Sequence, residues 1–141
     1  PLPVLASSRN EKNTLHSQDM IRTTLDLARA PDVTFVGIGD LGEEAPLFKD
    51  GFISETERND LLGQGAVGEI VGWTYDQEGT LIRNGINERV ASAPLPSPEN
   101  ARVVAVAMGA QKVQAIAAAL KGQLVNGLIT DENTAKAILN Q

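Results

Sequence analysis

The sequence predicts an α/β protein: a parallel, doubly wound, Rossmann-like sheet with helices on both faces. Three observations lead there. "VTFVGIG" (33–39) is a short, β-branched apolar run with terminal glycines, the pattern of a strand buried on both faces. "ARVVAVAMG" (101–109) is a second, fully apolar strand, and "NGLITD" (126–131) is a third, shorter one. Segments with helical spacing lie between them, and short βα alternation implies right-handed βαβ units.

The elements follow in order. The opening "PLPVLASSRNEK" is polar, punctuated by proline, and reads as extended chain. "SQDMIRTTLDLARA" (17–30) carries Met20, Ile21, Leu25 and Leu27 near helical spacing, and Pro31 ends it. In "ISETERNDLLGQGA", Ser54 and Glu57 have capping-box spacing, and Gly63 or Gly65 stops the helix. "GEIVGWTYDQEGTLI" reads as a strand, a turn at Gln77–Gly79 and a short returning strand. "SAPLPSPEN" is a proline-rich connection. After the second apolar strand, Val113, Ile116, Ala117 and Leu120 fall at i, i+3, i+4 and i+7 and form one buried helix face, with Gly122 as its C-cap. Thr130 is placed to cap "DENTAKAIL", whose Ala135, Ile138 and Leu139 form the last apolar face.

Composition removes several function classes. The chain has 141 residues, one domain or part of one, and is 42% hydrophobic and 21% charged. No apolar run approaches the ~18 residues of a membrane span, and no secretory segment is present. Cysteine is absent, so no disulfide or thiolate metal site is possible and a cytoplasmic setting is expected. His16 is the single histidine and reads as a solvated helix residue, not a metal ligand or triad member. The formal net charge is −6 with no basic run, so this chain is not itself a nucleic-acid binder. Neither a cofactor nor a metal is expected.

Ligands of doubly wound sheets bind at the carboxyl ends of the strands. Here those ends are Gly37–Asp40, Gly109–Lys112 and Thr130–Asp131, which should cluster. Lys112 stands out. A cation in the first turn faces the positive end of its helix, and its position makes sense if an anion sits between the amides of residues 110–112 and the ammonium. From the residues alone, a solvated first-turn lysine is the better supported reading and the anion site the lesser one. Three strands and a hairpin make a thin sheet, expected to belong to a larger domain. The faces carrying Leu25, Leu120 and Leu139 exceed what so few layers cover, so self-association or a large exposed apolar patch is expected.

The segments "VTFVGIG", "PLFKDGFIS", "LLGQGAVGEIVGWTYDQEG", "INERV" and "VVAVAMGAQKVQAIAAALKGQLVNGLITDENTAKAIL" carry a resemblance in their order and spacing. From about residue 20 to its end, the chain resembles the SorC/DeoR-type sugar-binding transcriptional regulators of bacteria. "GAVGE" with its hairpin, and the lysine helix followed by "LITDE", are the most specific pieces. The resemblance implies an effector domain similar to the sugar-phosphate isomerase and CoA-transferase-like fold. It implies a sugar or sugar-phosphate effector that modulates oligomerisation, as a dimer or tetramer, and operator binding. Operator DNA would be bound only through a helix-turn-helix region that, with the first part of the effector domain, is absent here. Residue by residue, it implies that Lys112 meets the effector's phosphate, that Glu69 accepts hydrogen bonds from sugar hydroxyls, and that Val71 offers backbone contacts. Gly37, Gly39 and Gly109 would let the backbone come close to the ligand. Met108 stands where the family usually has glycine and is expected to narrow the pocket or point into the core.

Two other readings stand beside this one. A phosphosugar isomerase or deaminase of related fold needs a general base, and Asp40 and Glu69 are the candidates, with no histidine beside either. An oligomerisation fragment without ligand binding is the third, since an incomplete sheet leaves edges that demand pairing.

Overall fold

The computed structural model describes residues 4–29, 31–83, 85–97 and 101–140. Two helices come first, α1 (Arg9–His16) and α2 (Asp19–Arg29), then β1 (Val33–Val36). A short helix α3 (Pro46–Lys49) and α4 (Glu55–Gly63) lead to a hairpin, β2 (Ala66–Ile70) and β3 (Trp73–Asp76), and a single-turn helix α5 (Ile86–Arg89). Then come β4 (Arg102–Val106), a 3₁₀ turn at Ala110–Lys112, α6 (Val113–Lys121), β5 (Gly127–Ile129) and α7 (Glu132–Leu139). Residue 30, the end of the expected helix 17–30, and residues 98–100 of the proline-rich connection lie outside the described residues.

The main sheet has the order β1-β4-β5 and both pairings are parallel. This is the α/β sheet flanked by helices that the sequence predicts. Its cover is uneven. The register sets Val36 beside Ala105, and Ala105 beside Leu128, on one face. There Val36, Val103 and Ala105 pack with Ala115, Ile116 and Ala119 of α6 and with Ile70 and Tyr75 of the hairpin in one buried cluster. The other face carries Val33, Phe35, Val106 and Ile129, all exposed among the described residues; Phe35 is 65% exposed. The steps from β1 to β4 and from β4 to β5 run in the same direction across the sheet, so right-handed crossovers bring both connections to the same face. The burial of β1 and of β4 on both faces that the apolar runs suggest is therefore seen on one face only.

A second cluster lies beneath the hairpin, with Leu41, Leu47, Ile53, Leu61, Ile82 and Val90 among its members. Asn87 on α5 is buried with it. Its Oδ1 accepts from the Thr74 amide (2.8 Å) and hydroxyl (2.9 Å), and its Nδ2 donates to the carbonyls of Thr74 and Ile82 (2.8 Å each). The capping box of α4 forms as expected, with Ser54 Oγ accepting from the Glu57 amide and Glu57 accepting from the Ser54 amide. Gly65, at φ 82°, follows it in the left-handed region that favours glycine.

Several elements differ from the sequence expectation. The opening segment is not extended throughout: Ser8 Oγ caps α1 by accepting from the Glu11 amide, a spacing its prolines and polarity hide. His16 is not simply solvated, because its Nε2 lies 2.9 Å from the Ala91 carbonyl oxygen. The hairpin turns at Val71–Gly72, since Ile70 pairs with Trp73. Gln77–Gly79 forms a second turn, after which Leu81 bridges to Tyr75. The cap of α7 is Asp131, not Thr130, because the Asp131 carboxylate reaches the amides of both Asn133 and Thr134. Of the three leucines whose faces were expected to exceed the available cover, Leu25 is buried, Leu120 is half-buried and Leu139 is exposed; Thr134 takes the buried place on α7.

Candidate ligand site

Beyond β1 the chain runs through Gly37, Ile38 and Gly39 and bridges to β2. The Gly39 amide donates to the Glu69 carbonyl (3.0 Å) and the Glu69 amide to the Gly39 carbonyl (2.9 Å). This short pairing sets the hairpin against the end of the sheet. A cavity of about 360 Å³ opens there, lined by Gly37, Gly39, Glu69, Val71 and Lys112. Its apolar wall includes Ile38, Pro46, Leu47 and Phe52.

Glu69 is largely withdrawn from water. Its Oε2 accepts from the Gly72 amide (2.7 Å), which fixes the side chain across the turn. A Cβ on Gly39 would overlap the Glu69 carboxylate, so glycine at 39 makes room for that side chain as much as for a ligand. Burial pushes the Glu69 carboxyl above the usual glutamate range; the Gly72 amide and the Lys112 charge pull it back, and Asp40 adds to the rise. A desolvated carboxylate in this setting is a strong acceptor for hydroxyl groups.

Lys112 is carried by the 3₁₀ turn that opens α6, and two contacts fix that turn. Tyr75, fully buried, donates its hydroxyl to the Ala115 carbonyl (3.0 Å) and ties α6 to the hairpin. Gly68 leaves room for this: a Cβ there would stand 2.6 Å from both the Tyr75 hydroxyl and the Ala115 Cβ. Burial raises the Tyr75 phenol, and the neighbouring Glu69 charge adds to it. From the other side, the Gly109 amide donates to Thr134 Oγ1 (2.9 Å), which donates to Asp131 Oδ2 (2.6 Å). Thr134 is not among the site residues the sequence predicts; the Asp131-x-x-Thr134 spacing is its signal.

The structure brings Gly37, Gly39, Glu69, Val71 and Lys112 to one cavity. Gly109 does not line it; at φ 114° it forms the turn that delivers Lys112. The Lys112 amide donates to the Gly109 carbonyl (3.0 Å), so one of the three amides expected to face an anion is already bonded. Asp40 does not line the cavity either, and its Oδ1 accepts from the Gly42 amide (2.7 Å). Thr130 and Asp131 line a separate hollow that shares Lys112 with the first. Met108 lines that hollow too and is exposed, neither narrowing the first cavity nor entering the core. The apolar wall at Pro46, Leu47 and Phe52 is not among the site residues the sequence predicts, although "PLFKDGFIS" is one of the segments carrying the resemblance.

The cavity offers a carboxylate for hydroxyls, an ammonium for an anion, and apolar side chains for C–H surface. Among the described residues no group of three or more histidine, cysteine or acidic side chains could hold a metal. No helix there is long and apolar enough to cross a membrane.

A ligand with hydroxyls, an anionic group and C–H surface would suit this lining. The family model described as "Putative sugar-binding domain" matches residues 1–140, and the chain belongs to that family. Over 141 residues it is 33% identical to the erythritol catabolism regulatory protein EryD of Brucella abortus, covering 100% of this chain and 45% of that protein. It is 38% identical over 143 residues to the transcriptional regulator LsrR of Escherichia coli K12, covering 99% of this chain and 45% of that protein. The crystal structure of the full-length sorbitol operon regulator SorC from Klebsiella pneumoniae superimposes with a TM-score of 0.86 at 26% identity, over 99% of this chain and 46% of that one. The chain thus spans less than half the length of these relatives, which are named as regulators and not as enzymes.

Proposed function

We propose that this chain is the C-terminal portion of the effector-binding domain of a bacterial, cytoplasmic transcriptional regulator, and that it senses a sugar or sugar phosphate. The observation that carries the reading is the convergence of Glu69 and Lys112 on one cavity whose remaining wall is apolar. In this reading Glu69 accepts from sugar hydroxyls, Lys112 pairs with a phosphate, and Pro46, Leu47 and Phe52 lie against the C–H face of the ring. Gly37 presents bare backbone, with no atom beyond its chain neighbours within 4 Å of where its Cβ would stand. Chain outside the 141 residues supplies the operator-binding region and the rest of the effector domain, and that remainder covers the open face of the sheet. Effector occupancy changes the association of subunits and so the affinity for the operator.

A thermal-shift screen of the full-length protein with pentose and hexose phosphates and their free sugars tests the reading. Stabilisation by a phosphorylated sugar, rising with its concentration as mass action requires, is the expected result. Hydrolysis or isomerisation of the same compounds, with no effect on operator binding, would refute it.

A further inference from the structure

Val71 is the first residue of the two-residue turn between Ile70 and Trp73, with φ at 52°, and Gly72 follows with φ at 88°. Positive φ at both positions marks a type I′ turn, which favours asparagine, aspartate or glycine. A β-branched residue is among the poorest fits to that backbone, because its side chain crowds the carbonyl. The core does not ask for it: Val71 is 43% exposed and belongs to neither buried cluster. Yet the turn is held firmly around it. Ser92 Oγ donates to the Val71 carbonyl (2.8 Å), and the Gly72 amide donates to Glu69 Oε2 (2.7 Å). Gly72 has no freedom to change, since a Cβ there would stand 2.8 Å from Val4 Cγ1. The strained residue lines the cavity two positions after Glu69. Strain that persists where the surroundings over-determine it gathers at ligand sites.

We infer that Val71 is a specificity-determining residue of the effector site, held in an unfavourable backbone so that its two methyl groups limit the room beside Glu69. This rests on the reading of the cavity as a sugar site. The branched side chain meets the carbon next to the hydroxyl that Glu69 accepts. It favours ligands with hydrogen there and disfavours those whose hydroxyl or hydroxymethyl group would be desolvated without a partner. Stability and selectivity are therefore opposed at this position, and Val71→Asn separates them. Asn-Gly suits a type I′ turn, so the variant relieves the strain while removing the methyl groups. Val71→Ala removes the methyl groups and keeps a side chain on the unfavourable backbone.

The experiment uses the full-length protein and four probes: ribose 5-phosphate, 2-deoxyribose 5-phosphate, glucose 6-phosphate and fructose 6-phosphate. Without ligand, Val71→Asn should melt about 2–5 °C above the wild type, and Val71→Ala, which loses the β-branch but keeps a Cβ on the left-handed backbone, should gain less. Both variants should bind the best probe more weakly, and the ratio between best and next-best probe should fall about tenfold, the scale of one or two methyl groups in an apolar pocket. A Val71→Asn melting point no higher than the wild type overturns the inference. So does an unchanged selectivity ratio in a wild type that binds. A wild type that binds none of the four overturns the sugar-site reading and this inference with it.

Discussion

On one face of the parallel sheet, Val36, Val103 and Ala105 are buried beneath Ile116, Ala119 and Tyr75. On the other, Phe35, Val106 and Ile129 meet solvent among the described residues. Large apolar side chains line both. What separates the faces is the path of the chain: two crossovers in one direction and of one hand deliver all their cover to one face. Hydrophobic strands report that something will pack on them, and connectivity decides which part of the chain it is. The same asymmetry locates the ligand cavity, because the hairpin that seals the covered face also brings Glu69 to the end of β1.

The largest expected effect tests the open face. If the rest of the full-length protein covers it, Phe35→Ala should cost about 3–5 kcal/mol in denaturant unfolding of that protein, as for a buried phenylalanine. A change within about 0.5 kcal/mol would mean that this face stays in water. On the covered face, Ile116→Ala should cost about 2–5 kcal/mol whatever lies opposite. Next comes the connection itself. Asn87→Ala leaves the Thr74 amide and two carbonyls without their partner. At about 1–3 kcal/mol for a buried polar group left unpaired, urea midpoints should fall clearly, and an unchanged midpoint would show that water replaces the side chain.

The smallest effect lies at the rim, where the cover meets the strand ends. Burial holds the Glu69 carboxyl above its ordinary range, so the native state binds this proton more tightly than the unfolded chain does. Stability from this group is therefore full at low pH and declines as pH rises through the raised value. Without ligand, Glu69→Gln should be more stable than the wild type at pH 7, and the gap should close on acidification. A gap independent of pH would assign the difference to packing instead of charge.

Much of this was legible in the sequence, and the omissions have physical reasons. The three parallel strands follow from short apolar runs ending in glycine or turn residues, and the α4 capping box from Ser54 and Glu57. Periodicity cannot say what covers a strand, so the apolar runs suggest burial on both faces where the structure shows it on one. The Val71–Gly72 turn was hidden because valine is the wrong residue for it, and the violation falls at the ligand cavity. Thr130 and Asp131 are both good caps, and one residue of register decided between them. Glu69 and Lys112 could be marked by their family pattern, while the wall at Pro46, Leu47 and Phe52 comes together only when α3 folds back toward β1.

We propose that Lys112 and Glu69 divide one sugar phosphate between them. Calorimetric titration of the full-length protein with a sugar phosphate identified in the thermal screen, and with the corresponding free sugar, tests this division. Lys112→Ala should weaken the phosphorylated ligand by about 1.5–3 kcal/mol, the range for a hydrogen bond to a charged group, or roughly 10- to 100-fold in affinity. The free sugar should bind as it does to the wild type. Glu69→Gln should weaken both ligands alike. Equal losses for both ligands with Lys112→Ala, or no loss for either, would contradict the assignment of this lysine to the phosphate.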